Sequence, residues 1–264
     1  MKKIPYPRRV HITPVGFEID RVVLPLVELE ADKVWILTER DPKKDKGRPY
    51  FEKVVEEISN LKRKCEIEVK HCDFNNRDLY DVLRAFREII EIEKSNQIFI
   101  NVSTGTKIHS IAGMMACMIF KDIAYDLKPY YSEPDKYASL PKGLSPMSFG
   151  CKEIHTLSNY RMDRPSEYLI EVLGVVHELC GPKNEKITKT ELKKELTSRG
   201  LLELTKKPGK VIKHENIARF LALQRKCIDP LYREWKFIRI VPPDHRRGKI
   251  EMTQEGLDML TFLG

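Results

Sequence analysis

Apolar positions along the first 160 residues fall into short blocks whose period alternates between two and about 3.6. Val10-His11-Ile12-Thr13, Val34-Trp35-Ile36-Leu37, Cys65-Glu66-Ile67-Glu68-Val69, Ile98-Phe99-Ile100-Asn101-Val102 and Ile123-Ala124-Tyr125-Asp126-Leu127 are short, strand-like runs bounded by polar or turn residues. Between them lie helical stretches at about 19–29, 49–62 and 77–94, the last with Leu79, Val82, Leu83, Phe86 and Ile89/Ile90 on one stripe, and a nearly all-apolar one at about 107–120. Strands alternating with helices predict an α/β, Rossmann-like fold: a mostly parallel sheet with helices on both faces. Residues 128–150, rich in Pro, Ser, Tyr and Gly, read as an irregular excursion, with Ile154–Leu157 returning a strand to the sheet.

After about residue 160 the pattern becomes mainly helical. Ser166 opens a helix to about Leu179, ended by Gly181-Pro182, and Thr188-Lys189-Thr190-Glu191 is a capping box for a second. A third helix is expected from about His214 to Ile228. A hairpin then runs from Trp235 to Met252 around a basic tip, Asp244-His245-Arg246-Arg247, and a final helix follows Thr253. This order predicts a winged helix-turn-helix. The expected domains are 1–160, Rossmann-like, and 161–264, winged helix, in line with a 264-residue chain.

Charge sharpens the second assignment. The chain carries a formal +8, and residues 161–264 hold 21 Lys and Arg against 15 Asp and Glu, a net of +6. A polyanion partner is expected there. In a winged helix the third helix enters the major groove and the wing touches phosphate. Lys213, His214, Asn216 and Arg219 are therefore the expected recognition-helix contacts to double-stranded DNA, with Arg246, Arg247 and Lys249 on the wing. Solvated charges on a protein-docking domain are the plainer alternative.

In open α/β sheets ligands sit beyond the C-terminal ends of the strands. Two loops there carry suitable chemistry. Pro14, Gly16 and Phe17 form the first, and Asn101, Ser103, Thr104, Gly105, Thr106 and Lys107 the second, which offers hydroxyls, a glycine, helix N-terminal amides and a cation. The same residues equally fit simple helix capping. Neither a P-loop nor a Gly-x-Gly-x-x-Gly fingerprint is present, so ATP hydrolysis and hydride transfer are not expected. The six cysteines lack metal-ligand spacing; no metal site and no cofactor are expected. No run approaches a membrane span, and Met1–Pro5 leads into no apolar segment, so a cytoplasmic location is expected. The helix at 107–120 is apolar on nearly every side, which points to burial all round and to a two-fold contact through it.

The strand-loop-helix Asn101-x-Ser-Thr-Gly-Thr-Lys107, with the opening Val10-His11-Ile12-Thr13-Pro14-Val15-Gly16-Phe17-Glu18-Ile19-Asp20-Arg21, resembles the CRISPR-associated Rossmann-fold (CARF) family. The resemblance is to an archaeal branch with a C-terminal winged helix, and covers roughly residues 8–160. It implies a homodimer that binds a cyclic oligoadenylate, commonly cyclic tetra-adenylate, across its two-fold axis. It further implies a transcriptional regulator of CRISPR-related, antiviral genes. Many relatives carry Thr-Gly-Gly-Thr-Lys where this chain has Ser103 to Lys107, so Thr104 is expected to narrow the pocket. Some relatives cleave the ring without metal. In that alternative Lys107 and Ser103 would stabilise charge, while His11 and His109 read as packing or solvated residues and not as a base. Otherwise no catalytic residue is expected.

Overall fold

The computed structural model describes residues 6–39, 41, 43–62, 65–72, 78–139, 145–203, 215–243 and 247–263. It divides into two units, residues 1–163 and 164–264. The first contains β1 (Arg9–Pro14), α1 (Asp20–Glu28), β2 (Lys33–Glu39), α2 (Arg48–Ser59), β3 (Glu66–Cys72), α3 (Leu79–Ile92), β4 (Gln97–Asn101), α4 (Lys107–Ile119), β5 (Asp126–Glu133), β6 (Lys136–Tyr137), β7 (Ser148–Phe149) and β8 (Glu153–Thr156).

The main sheet has the order β3-β2-β1-β4-β5-β8, parallel except for β8, which runs antiparallel at the β5 edge. This is the α/β Rossmann-like arrangement the strand-helix alternation predicts. Successive strand side chains alternate between the two faces; Val10 and Ile12, Val34 and Ile36, and Ile98 and Ile100 are fully buried alternating pairs, and His11 is buried between the first two. Helix α1 packs with α2, and α3 with α4. Right-handed crossovers put the two pairs on opposite faces.

Three expectations are corrected. The fifth strand begins at Asp126, not Ile123, and continues through Glu133, so the first six residues of the expected excursion belong to the sheet. Tyr125 donates its amide to Lys94 and is largely exposed, whereas Leu127 and Tyr130 are the buried strand residues. Further along the excursion, Lys136–Tyr137 and Ser148–Phe149 pair as a small antiparallel β6–β7 ladder. Helix α4 is not buried all round. Small Ala112, Gly113 and Ala116 face the sheet, while Ile111 is half exposed and Ile108, Met115 and Met118 are partly so. A Cβ on Gly113 would come within 3.0 Å of Ile100 and 3.1 Å of Val102, which shows how closely this helix lies on β4.

The second unit contains α5 (Glu167–Cys180), α6 (Lys189–Ser198), α7 (Glu215–Leu223), β9 (Ile238–Val241), β10 (Lys249–Met252) and α8 (Gln254–Leu263). Ser166 caps α5 through the Leu169 amide. The Thr188–Glu191 capping box forms as its sequence requires. Expected to stop near Ile228, the third helix instead continues with wider π-type turns through Pro230–Glu234. Antiparallel β9 and β10 make a hairpin, and Ile187 exchanges backbone hydrogen bonds with Ile250 beside it. One core joins these parts: Val172, Val176, Leu192, Leu196, Leu223, Cys227, Ile240 and Ile250.

Buried in the first unit, His11 stacks on Phe99 and shares a 3.2 Å hydrogen bond between Nδ1 and the Tyr130 hydroxyl. Burial lowers its pKa to about 3. The folded state therefore refuses a proton that the unfolded chain accepts below about 6.5. Its contribution is intact above that value and declines as pH falls towards 3. Replacing both partners, His11→Phe with Tyr130→Phe, is expected to reduce the loss of stability on acidification by about 2 kcal/mol at pH 5. Urea unfolding at pH 7.5 and pH 5 measures this; an unchanged loss would show that His11 takes up its proton in the folded state.

Candidate functional site

The direction of chain progression reverses between β1 and β4, and both strands end in a helix-bearing loop. Such a switch point opens a crevice in doubly wound sheets. Here a cavity of about 710 Å³ lies at the ends of β1, β2 and β4, lined by Val15, Gly16, Phe17, Glu39, Lys43, Lys44, Asp45, Lys46, Gly47, Gly105, Thr106 and His109.

Three glycines set its floor. A Cβ on Gly16 would stand 3.0 Å from the Gly105 Cα, and one on Gly47 would stand 3.2 Å from the Gly16 carbonyl oxygen. The three loops thus meet backbone against backbone. Gly105 also has φ of +80° and would place a Cβ 2.8 Å from Pro14 Cβ and 3.0 Å from His109 Nδ1. Both its conformation and its surroundings exclude a side chain.

The polar residues nominated from sequence divide into builders and presenters. Asn101 is fully buried; its Nδ2 donates to the Arg21 carbonyl (2.9 Å), and its Oδ1 accepts the Ser103 amide (2.9 Å). Ser103 Oγ accepts the Ser132 amide at 2.5 Å. Thr104, 2% exposed, donates its hydroxyl to the Pro14 carbonyl at 2.6 Å. It therefore pins the β4–α4 loop onto β1 and does not line the cavity, which corrects the expectation that Thr104 narrows it. Pro14 is buried beneath this joint. Gly16, Phe17, Gly105 and Thr106 line the cavity, and Lys107 is exposed at the first turn of α4. The amides of Lys107 and Ile108 have no partner among the described residues, leaving two donors at the positive end of that helix.

Phe17 is held in place from outside the two loops. Its carbonyl accepts the Met147 amide, Ser148 donates to Glu18, and the Gly150 amide donates to Asp20. The β6–β7 excursion thus clamps the start of α1. The Phe17 ring, 38% exposed, meets Tyr50 edge-on at 5.3 Å. Burial raises the pKa of Glu18. Beside it, buried Arg21 donates Nε to the Ser132 carbonyl (2.7 Å) and lies 5.0 Å over the Tyr131 ring.

Two features were not legible as site residues. His109, read as packing or solvation, lines the cavity, and its Nδ1 accepts the Thr106 amide at 3.1 Å. Burial holds its pKa down at about 4. A neutral ring with Nδ1 occupied carries its proton on Nε2, so His109 is a donor and a poor base near neutrality. The second feature is the β2–α2 loop, which is not among the residues nominated from sequence. Its Lys43, Lys44 and Lys46 form one wall; the cation run was visible, but its place at the switch point was not.

In the second unit, Lys213, His214 and Arg246 lie outside the described residues. Asn216 accepts a 2.5 Å hydrogen bond from Lys193, and Arg219 pairs with Glu215 at 2.7 Å. Lys249 opens β10, next to Gly248 and Arg247, which line a groove with Lys189, Ile217 and Leu221. Ile217 and Leu221 are exposed on α7. Glu133, Glu153 and His155 cluster on the β5–β8 edge, with Lys152 salt-bridged to Glu133 at 3.0 Å.

The first unit is a Rossmann-like α/β unit with a cavity at its switch point. A family model described as "HFX_2341_N:-like, N-terminal" matches residues 9–137, a span holding β1 through β6 and every cavity residue. An uncharacterised protein of Methanocaldococcus jannaschii, MJ1513, is 26% identical over 191 residues, covering 63% of this chain and 55% of its own. The chain thus spans about 55% of the length of that curated relative. Among solved structures, Enterococcus italicus Csm6 bound to cyclic hexa-2′-fluoro-hexa-dAMP aligns at a TM-score of 0.42 and 13% identity, over 88% of this chain and 57% of that one. Can2 from Sulfobacillus thermosulfidooxidans, in complex with cyclic tetra-adenylate, aligns at 0.37 and 12%, over 96% and 63%.

Gly105→Ala is expected to cost roughly 1–3 kcal/mol, from left-handed backbone strain and the clash with Pro14. Gly174→Ala, in the interior of α5 with nothing within 4 Å of the new methyl, is expected to stabilise by about 0.5–1 kcal/mol. Urea unfolding of both variants tests the contrast; equal and small effects would mean that the loop at Gly105 gives way easily.

Proposed function

We propose that this chain is a ligand-responsive, DNA-binding regulator whose first unit senses a cyclic oligoadenylate. The observation that carries the proposal is the cavity at the β1/β4 switch point, floored by Gly16, Gly47 and Gly105 and bordered by the N-terminus of α4. Close backbone approach, unpaired helix amides and neighbouring lysines suit a phosphodiester, and the exposed Phe17 ring suits a base. The resemblance of the Asn101–Lys107 loop to the CARF signature names the ligand class, with cyclic tetra-adenylate the first ring to test.

A homodimer is part of the proposal. Ile108, Ile111, Met115 and Met118 follow a 3-4-3 spacing along one side of α4, opposite the small residues that meet the sheet. That spacing is a seam for pairing with a second copy of the helix. The second unit, three helices followed by a hairpin and a final helix, has the layout of a winged helix. Its net charge of +6 and the hairpin cations Arg247 and Lys249 support DNA as its partner. The ligand would act by favouring one spacing of the two DNA-binding units over another. His109, neutral and with Nδ1 occupied, favours sensing over ring cleavage.

Calorimetry with cyclic tri-, tetra- and hexa-adenylate is expected to give one ring per dimer for one ring size, weakened at least ten-fold in Lys107→Ala. Failure of all three rings to bind would overturn the sensor. For the second unit, Arg247→Ala with Lys249→Ala is expected to weaken duplex DNA binding and to lower its log–log salt slope by about two. An unchanged slope would remove the hairpin from the interface.

A further inference from the structure

The two loops that resemble the family signature form only part of the cavity. Its remaining wall is the loop from β2 to α2, which presents Lys43, Lys44 and Lys46 within four residues. Glu39 and Asp45 line the same wall, but Asp45 is engaged in building it. Its Oδ2 accepts the Thr38 hydroxyl at 2.9 Å and its Oδ1 accepts the Gly47 amide at 2.8 Å. The amides of Lys44 and Asp45 donate to the Asp41 carbonyl at 3.0 and 3.1 Å. The lysines therefore stand on a fixed backbone. Lys44 is balanced by Asp41 at 3.7 Å, whereas Lys43 and Lys46 have no anionic partner among the described residues.

Resting on the reading of this cavity as a nucleotide site, we infer that Lys43 and Lys46 are its phosphate-recognising residues, so that a ligand's phosphodiesters run along the β2–α2 loop while a base meets Phe17. Lys43 and Lys46, three positions apart on one hydrogen-bonded loop, are compact point charges suited to neighbouring phosphates. Across the glycine floor the cavity is lined by Thr106 and His109 at the start of α4, with Lys107 exposed at the next position after Thr106. The cavity, about 710 Å³, falls within the range of small-ligand sites. A Cβ on Gly47 would stand 3.2 Å from the Gly16 carbonyl oxygen, so this wall abuts the first loop, and a ligand held by the lysines would lie beside Gly16 and Phe17, which line the same cavity.

The full chain, Lys43→Ala with Lys46→Ala, and a control of Lys53→Ala with Lys62→Ala are titrated with cyclic tetra-adenylate and with inorganic tripolyphosphate at 50 and 200 mM salt. The control removes the same charge from exposed positions outside the cavity. The wall variant is expected to bind the ring ten- to a hundred-fold more weakly, with a log–log salt slope smaller by about one, while the control stays within about two-fold. If the wild type binds the ring and the wall variant binds equally well, the inference is overturned and the sensor reading stands. If the wild type binds no ring, the sensor reading fails and tripolyphosphate decides the wall. Binding lost in the wall variant alone upholds it; no binding, or equal binding, overturns it.

Discussion

Three loops in this protein must touch through their backbones, and the site follows from that constraint. In the order β3-β2-β1-β4-β5, strands β1 and β4 lie side by side while their following helices leave on opposite faces. The loops above them can then close on one another only where side chains are missing. Gly16 lies against Gly105 and Gly47 against Gly16, and Gly105 takes up a left-handed conformation that few other residues tolerate. The result is a floor of amides and carbonyls at the ends of three parallel strands. A ligand resting there meets main chain first and side chains only at the rim.

Around that floor the polar side chains have separate tasks. Asn101, Ser103 and Thr104 occur in the segment that most resembles a binding loop, yet each is occupied with another part of the protein: the Arg21 carbonyl, the Ser132 amide and the Pro14 carbonyl. A buried polar group costs free energy unless it is paired, so these bonds fix the loop in a single shape. The groups left to face a ligand come from elsewhere. Those that line the cavity are the lysines of the β2–α2 loop, the Phe17 ring and the neutral His109. Preorganisation of this kind lowers the cost of binding, because the loops are ordered before the ligand arrives.

The same division recurs in α4. Small residues let one side of the helix sit on β4, and the larger apolar residues that cannot fit there are displaced to the other side. A helix that is apolar all round in sequence thus carries two distinct faces, one packed on the sheet and one left partly exposed. In the second unit, α7 combines a charged start with exposed Ile217 and Leu221, next to the groove that also holds Lys189 and Arg247. Apolar and cationic groups therefore share the surface on which the proposed DNA contacts lie.

The sequence by itself determined the α/β order, the position of the switch-point loops and the capping boxes. These rest on local rules: a period of two or 3.6, a Ser or Thr before a helix, a glycine after a strand. It also determined the asymmetry of charge. Strand β5 was misplaced because Asp126–Glu133 mixes Pro, Lys and Tyr, and its pairing with β4 and β8 outweighs a weak local pattern. Only the tertiary structure decided which hydroxyls were spent on the fold and which loop faced the cavity. Thr104 and Lys107 look equally available in a linear motif, and Lys43 and Lys46 look like an ordinary solvated loop. What separates them is distance between segments 60 and more residues apart, set by strand order, and no periodicity along the chain records that.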